Sequence, residues 1–146
     1  MSLIVDVAQA VVDALNAQQE SSTPFSFAFT AERLALPMFT LEEMATLHVS
    51  VVPRDRITAI LHRTQNQDDI KVDIAIQQKL AGHSTADVDP LLALVQEISD
   101  FLDRLPMAGA AWMSTENKPI YAPEHLREKR MFTSVLTVTY RIWRKP

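Results

Sequence analysis

The strongest constraint in the sequence is the alternation in residues 69–80, DIKVDIAIQQKL. Ile70, Val72, Ile74 and Ile76 fall on one face of an extended chain, and Lys71, Asp73, Gln77 and Lys79 fall largely on the other. Slipping the pairing by one residue would turn all four branched side chains to water, so the pattern itself fixes the register. The segment is expected to be a central antiparallel strand.

Elements on either side follow from the same periodicity. Ile4, Ala8, Val11, Val12 and Leu15 make the apolar stripe of a helix over residues 3–19, with Ser2 as N-cap. Phe25, Phe27 and Phe29 alternate with small polar residues, which predicts a strand with an aromatic face continuing to Leu34 or Leu36 before Pro37. Thr40 and Glu43 have capping-box spacing, predicting a helical turn over 41–44. A strand over 46–52 is expected to stop at Pro53. Ile57, Ile60 and Leu61 fit a helical turn about as well as an extended segment over 54–63, and the polar residues 64–69 read as a turn.

After Gly82, a helix is expected with Asp87 or Asp89 near its N-cap and Pro90 in its first turn. Its buried stripe is Leu91, Leu94, Val95, Ile98, Phe101, Leu102 and Leu105, with Gln96, Glu97, Asp100 and Asp103 outward, and Pro106 ends it. Residues 107–114 suggest a strand anchored by Trp112, and 115–130, with Pro119 and Pro123, a long excursion outside the core. The last strand, 131–144, puts Phe132, Leu136, Val138, Tyr140 and Ile142 on one face and Thr133, Val135, Thr137, Thr139 and Trp143 on the other. The sum is one α+β domain over 1–146, a mainly antiparallel sheet of about five strands with two amphipathic helices packed on one face.

A chain of 146 residues buries a real core without crosslinks, and no apolar run approaches the roughly 20 residues that cross a bilayer. The start carries acids and no basic leader, so a secretion signal is not expected. Without cysteine there is no disulfide, thiolate nucleophile or sulfur-ligated zinc, which favours an intracellular origin. A net charge of −4 argues against a general nucleic-acid binder. The charge is polarised, however. Residues 124–146 hold six basic side chains against two acids, +4, which leaves −8 for the rest. That polarity suits either a solvated C-terminal strand or a basic end meeting a neighbour's acidic surface.

Candidate chemistry is sparse. His48, His62, His83 and His125 show no metal-ligand spacing, and each reads as a surface or hydrogen-bonded residue. His125 and Glu128, with Glu124 nearby, admit a metal or proton-transfer pair but bring no third group. Asp87 and Asp89 sit where a helix N-terminus favours negative charge, and Asp100 and Asp103 face solvent. No phosphate-binding glycine loop or nucleophile elbow occurs. Trp112, Tyr121, Tyr140 and Trp143 could stack on bases, but they are scattered, and core or interface anchoring suits them better.

The phrases VSVVPRDR (49–56), VDIAIQQKL (72–80), LLALVQEISDFL (91–102) and NKPIYAPEHLREKRMFTSVLTVTYR (117–141) resemble small morphogenesis proteins of tailed phages and prophages. The order of elements is similar to that of the tail terminator and tail-completion, or head-tail joining, family. The resemblance spans the chain from Val49 onward; the first 45 residues match in pattern alone. It implies a non-enzymatic assembly protein without cofactor or metal, a ring homo-oligomer, commonly a hexamer, that ends the tail. Such rings close by head-to-tail contacts. The implied partners are further copies, the tail tube and the head connector, with neither membrane nor direct nucleic-acid contact. The implied location is the bacterial cytoplasm during assembly and then the virion tail.

By position, the expected interface residues are Tyr121, Arg127, Lys129, Arg130, Arg141 and Trp143, together with the excursion 119–126 and the polar loop 64–69. The competing functions are a small metal-assisted hydrolase built on His125, Glu128 and Glu124, and a ligand- or nucleic-acid-binding module built on the basic C-terminal strand.

Overall fold

The computed structural model describes residues 2–35, 45–82, 84–118 and 120–145. The elements are α1 (Leu3–Gln19), β1 (Ala31–Arg33), β2 (His48–His62), β3 (Gln65–Lys79), α2 (Thr85–Leu102), β4 (Ala111–Glu116), α3 (Pro123–Lys129) and β5 (Met131–Arg144). One five-stranded sheet runs in the order β1-β2-β3-β5-β4, antiparallel throughout except for the β1–β2 pair. The α+β class expected from the pattern holds, with a mixed sheet and three helices.

β3 is central. It pairs with β2 on one side and with β5 on the other over almost its whole length. Ile70, Val72, Ile74 and Ile76 lie opposite Tyr140, Val138, Leu136 and Ser134 of β5, and all eight are buried. Val49 and Val51 of β2 extend the same buried face. Burying each of the four branched side chains contributes about 1.5–3 kcal/mol, so a slipped register loses an amount comparable to the domain's whole stability margin.

Both long helices pack on this face. α1 buries Val7, Ala8, Val11, Val12 and Leu15, and the Val5 N–H donates to Ser2 Oγ at 3.3 Å, as the cap assignment expects. α2 buries Val88, Leu91, Leu94, Val95, Ile98 and Leu102. Its cap is Ser84 rather than Asp87 or Asp89. The Asp87 carboxylate reaches back to accept from the Ser84 N–H (3.2 Å) and hydroxyl (2.8 Å).

Several expectations are corrected. The phenylalanine segment is no strand; β1 is confined to Ala31–Arg33. Its backbone instead meets side chains. Gln19 accepts from the Phe25 N–H (3.0 Å) and donates to the Phe27 carbonyl (2.7 Å). Glu97 accepts from the Ser26 N–H (2.9 Å) and hydroxyl (2.6 Å). Phe25 stacks on Phe29 and meets Phe101 edge-on, so the segment bridges α1 and α2. Alternation survives as half-buried rings, but helix side chains replace the neighbouring strand.

Pro53 does not stop β2, which runs on to His62 through a register shift between Pro53 and Asp55. β1 pairs no further along β2 than Val51, so Pro53 lies beyond its only outer strand neighbour among the described residues. The 54–63 segment is extended, and a second shift between Ile60 and His62 explains its helix-like spacing. The expected 64–69 turn shrinks to Arg63 and Thr64, because Gln65 already belongs to β3. Strand 107–114 begins later, at Ala111, after a tight turn with Ala108 and Gly109 at positive φ. The excursion contains α3, whose Leu126 joins the core. The expected turn at 41–44, with Thr40 and Glu43, lies outside the described residues.

Asn16 imitates a strand partner: its side chain accepts from the Ala31 N–H (2.8 Å) and donates to the Ala31 carbonyl (3.1 Å). Asn16→Ala is expected to destabilise the domain by about 1–3 kcal/mol, since both backbone groups are part-buried. Urea unfolding measures this, with the exposed Gln9→Ala as a control expected to stay within about 0.5 kcal/mol.

Candidate functional site

The distal half of the β2–β3 hairpin stands apart from the two-layer body. Residues 54–62 are all exposed, and among the described residues no strand pairs with their outer edge. Three large aliphatic side chains lie in this run: Ile57 (57% exposed), Ile60 (80%) and Leu61 (49%). Trp143 at the end of β5 is 46% exposed. Apolar exposure gathered on one element makes this segment the candidate site.

The bulge at Pro53 gives this arm two working faces. Upstream, odd-numbered residues of β2 face the helices; downstream, the pairing places Arg56, Thr58 and Ile60 on that side, opposite Ile70, Asp68 and Asn66. Ile57 and Ala59 fall on the other side, in rows with Asp69 and Arg141 and with Gln67 and Trp143.

Each face is pinned by an ion pair. Arg141 grips Asp69 in a two-point contact, Nε to Oδ1 at 2.7 Å and Nη2 to Oδ2 at 3.2 Å. That contact holds the Arg141 guanidinium above its ordinary pKa. On the other face, Asp68 is fully buried and accepts from the Thr58 hydroxyl and the Arg144 guanidinium. Burial pushes the Asp68 carboxyl up, but the bonds from Thr58 and Arg144, with the positive charge of Arg144 and Arg56, outweigh it and leave the pKa lowered. A third pair, Arg54 with Asp73 at 3.4 Å, is braced by Thr137, which donates to Asp73 at 2.8 Å. It lies in an open groove of about 490 Å³ on the face away from α1 and α2, whose polar groups largely satisfy one another.

The expected interface residues divide. Arg141 and Trp143 lie at the base of the arm. Tyr121 is half-buried with its ring against Phe132 at 6.3 Å, so it serves the core. Arg130 ends α3 in a left-handed conformation and donates to the Ala81 carbonyl at 3.2 Å, tying α3 to the end of β3. Arg127 is exposed beside a small depression with Tyr121, Pro123 and Leu126. The Lys129 side chain, Pro119 and His83 lie outside the described residues.

Of the histidines, His125 contacts Thr133 Oγ1 at 3.2 Å, and His62 closes the hairpin turn by accepting from the Thr64 N–H at 3.3 Å. Among the described residues no three His, Asp or Glu side chains gather as a metal site. Burial pushes the Tyr140 phenol up, in keeping with a core residue. Trp112 donates to Thr115 Oγ1 at 2.9 Å. Sequence reasoning missed Asp68, Arg144 and Thr58. The available signal was the Asp68–Asp69 pair and the spacing of Arg141 and Arg144, which antiparallel pairing brings into register.

Neither the family models nor the curated proteins compared with this sequence give a match.

Asp68 sets a pH test. Its folded pKa lies below the unfolded value near 3.9, so its stabilising contribution is present above that value and is lost as pH falls through the folded pKa. Arg144→Gln removes the cation, and the variant is expected to be less stable than wild type at neutral pH by about 1.5–3 kcal/mol. The difference should shrink below about pH 4, where a protonated Asp68 no longer needs a cation. Thermal melting from neutral pH to acid measures it.

Proposed function

We propose that the chain is a non-enzymatic assembly protein that works as a homo-oligomer, its projecting hairpin arm being the principal contact element. The supporting observation is the arm itself: exposed Ile57, Ile60 and Leu61 on β2, which pairs with a β3 that Asp68–Arg144 and Asp69–Arg141 tie to β5 and that Thr58–Asp68 ties to β2. A rigid apolar projection suits binding, because little conformational entropy remains to be lost on docking. The sequence resemblance to tail terminator and tail-completion proteins supplies the setting, a ring that ends a phage or prophage tail and meets its tube and head connector. Tight head-to-tail closure of such a ring requires one surface that projects and another that receives.

Light scattering after size-exclusion chromatography, across concentration and from low to high salt, tests this reading. A ring-sized species is expected, dissociating as salt rises. Ile60→Asp, at a position 80% exposed, is expected to leave the melting temperature nearly unchanged while shifting the population to monomer. A wild-type chain that stays monomeric up to its solubility limit at every salt concentration overturns the proposal.

A further inference from the structure

We infer that the arm of one copy docks into the cleft between α2 and β5 of a second copy, in a head-to-tail contact; this rests on the assembly reading above. The cleft has a volume of about 290 Å³ and is lined by Leu92, Val95, Gln96, Ser99, Ile120 and Leu136. Ile120 on its rim is 54% exposed. The cleft, with Asn117 also in its lining, is a mainly apolar slot with polar edges, of the size that takes one or two aliphatic side chains, and the arm carries the exposed Ile60 and Leu61 at its second register shift.

Charge specifies which surface the arm meets. Asp89, Ala93, Gln96, Asp100 and Asp103 are all exposed and recur at three- and four-residue steps, so they form one stripe along α2 and past its end, beside the cleft. Residues 84–103 carry five carboxylates and no cation, and among the described residues none of the five is in an ion pair. The arm has the opposite balance. Arg54, Arg56, Arg63, Arg141, Arg144 and Lys145 stand against Asp55, Asp68 and Asp69. Arg56 and Arg63 flank Ile60 and Leu61 and are in none of the three ion pairs found among the described residues.

The spacings agree. Six extended residues, about 20 Å, separate Arg56 from His62 at the end of β2, with Arg63 next in the turn, and thirteen helical residues, about 20 Å, separate Asp89 from Leu102, with Asp103 next as the C-cap. An apolar tip flanked by cations matches an apolar slot beside a row of carboxylates.

An intramolecular contact is excluded by distance. Leu136 in the cleft and Arg144, in the row of Asn66 and Ile60 near the tip of the arm, are eight residues apart on β5, about 27 Å. The hairpin turn lies further out still, because Arg144 pairs with Asn66. Donor and acceptor surfaces therefore sit apart on one chain, which makes the contact heterologous.

Mixing two defective variants tests it. Ile60→Ser/Leu61→Ser removes the apolar tip and leaves the cleft; Gln96→Arg/Asp100→Arg reverses the rim and leaves the arm. All four positions are exposed, and unchanged circular dichroism and melting confirm folding. Each variant alone is expected to be monomeric by light scattering, while an equimolar mixture gives heterodimers that grow no further, because just one productive arm and one productive cleft remain. If the rim variant assembles like wild type, the cleft is not the acceptor and this inference falls while the assembly reading stands. Two monomeric variants that fail to pair when mixed show that an intact arm and an intact cleft do not meet across copies, and overturn it equally. A monomeric wild type overturns both readings.

Discussion

The fold depends on the register of β3. This strand has a hydrogen-bonded neighbour on each side, and the alternation of Ile70, Val72, Ile74 and Ile76 permits one alignment in which both helices find an apolar floor. Everything else is positioned from it. β5 is aligned by matching its own alternating face, α1 and α2 cover that face, and β4 extends the sheet beyond β5. Because the chain leaves β3 at both ends with the register fixed, the hairpin turn at Arg63 and Thr64 must project a defined distance past the helical layer.

That projection is made stiff rather than loose by how its charges are placed. Asp68 and Asp69 are adjacent, so they emerge on opposite faces of β3, and each meets an arginine of β5 on its own side. Asp68 is fully buried, and the bonds from Thr58 and Arg144 compensate its carboxylate there. The same pairing consumes two of the arm's cations internally, leaving Arg63 at its tip and Arg56 toward its inner end outside the ion pairs. The shift at Pro53 decides which face Ile57 and Ile60 each take: downstream of it Ile60 falls on the helix side and Ile57 on the other.

How much of this was legible follows from which interactions are local. α1, the extent and facing of β5, and the centrality of β3 come directly from periodicity, since a buried face imposes its period on the side chains. The phenylalanine segment misled because its alternation is genuine but its partners are Asn16, Gln19 and Glu97, side chains that no strand pattern announces. The continuation of β2 past Pro53 was obscured because Ile57, Ile60 and Leu61 are all exposed, so no buried face imposes a two-residue period on them, and a register shift follows Ile60. Of the expected interface residues, Arg141 and Trp143 sit beside the arm, Tyr121 packs its ring against Phe132, and Arg130, though exposed, donates to the Ala81 carbonyl. A charged or aromatic residue in a proline-rich stretch says little about orientation until the helix it borders, here α3, is known.

The separation of the remaining charges bears on how such a chain would assemble. Exposed arginines and carboxylates contribute little to affinity in salt, but they steer encounters and penalise wrong pairings, whereas desolvated aliphatic contacts govern how slowly a complex comes apart. An arm with apolar residues between two arginines joins both functions in one element. Its small apolar area makes any single contact weak, so a closed ring, in which every subunit is held on two sides, is far more persistent than an open dimer. The physical economy of the molecule thus lies in one strand register: it builds the core, and the same alignment, carried a few residues further, sets the arm beyond it.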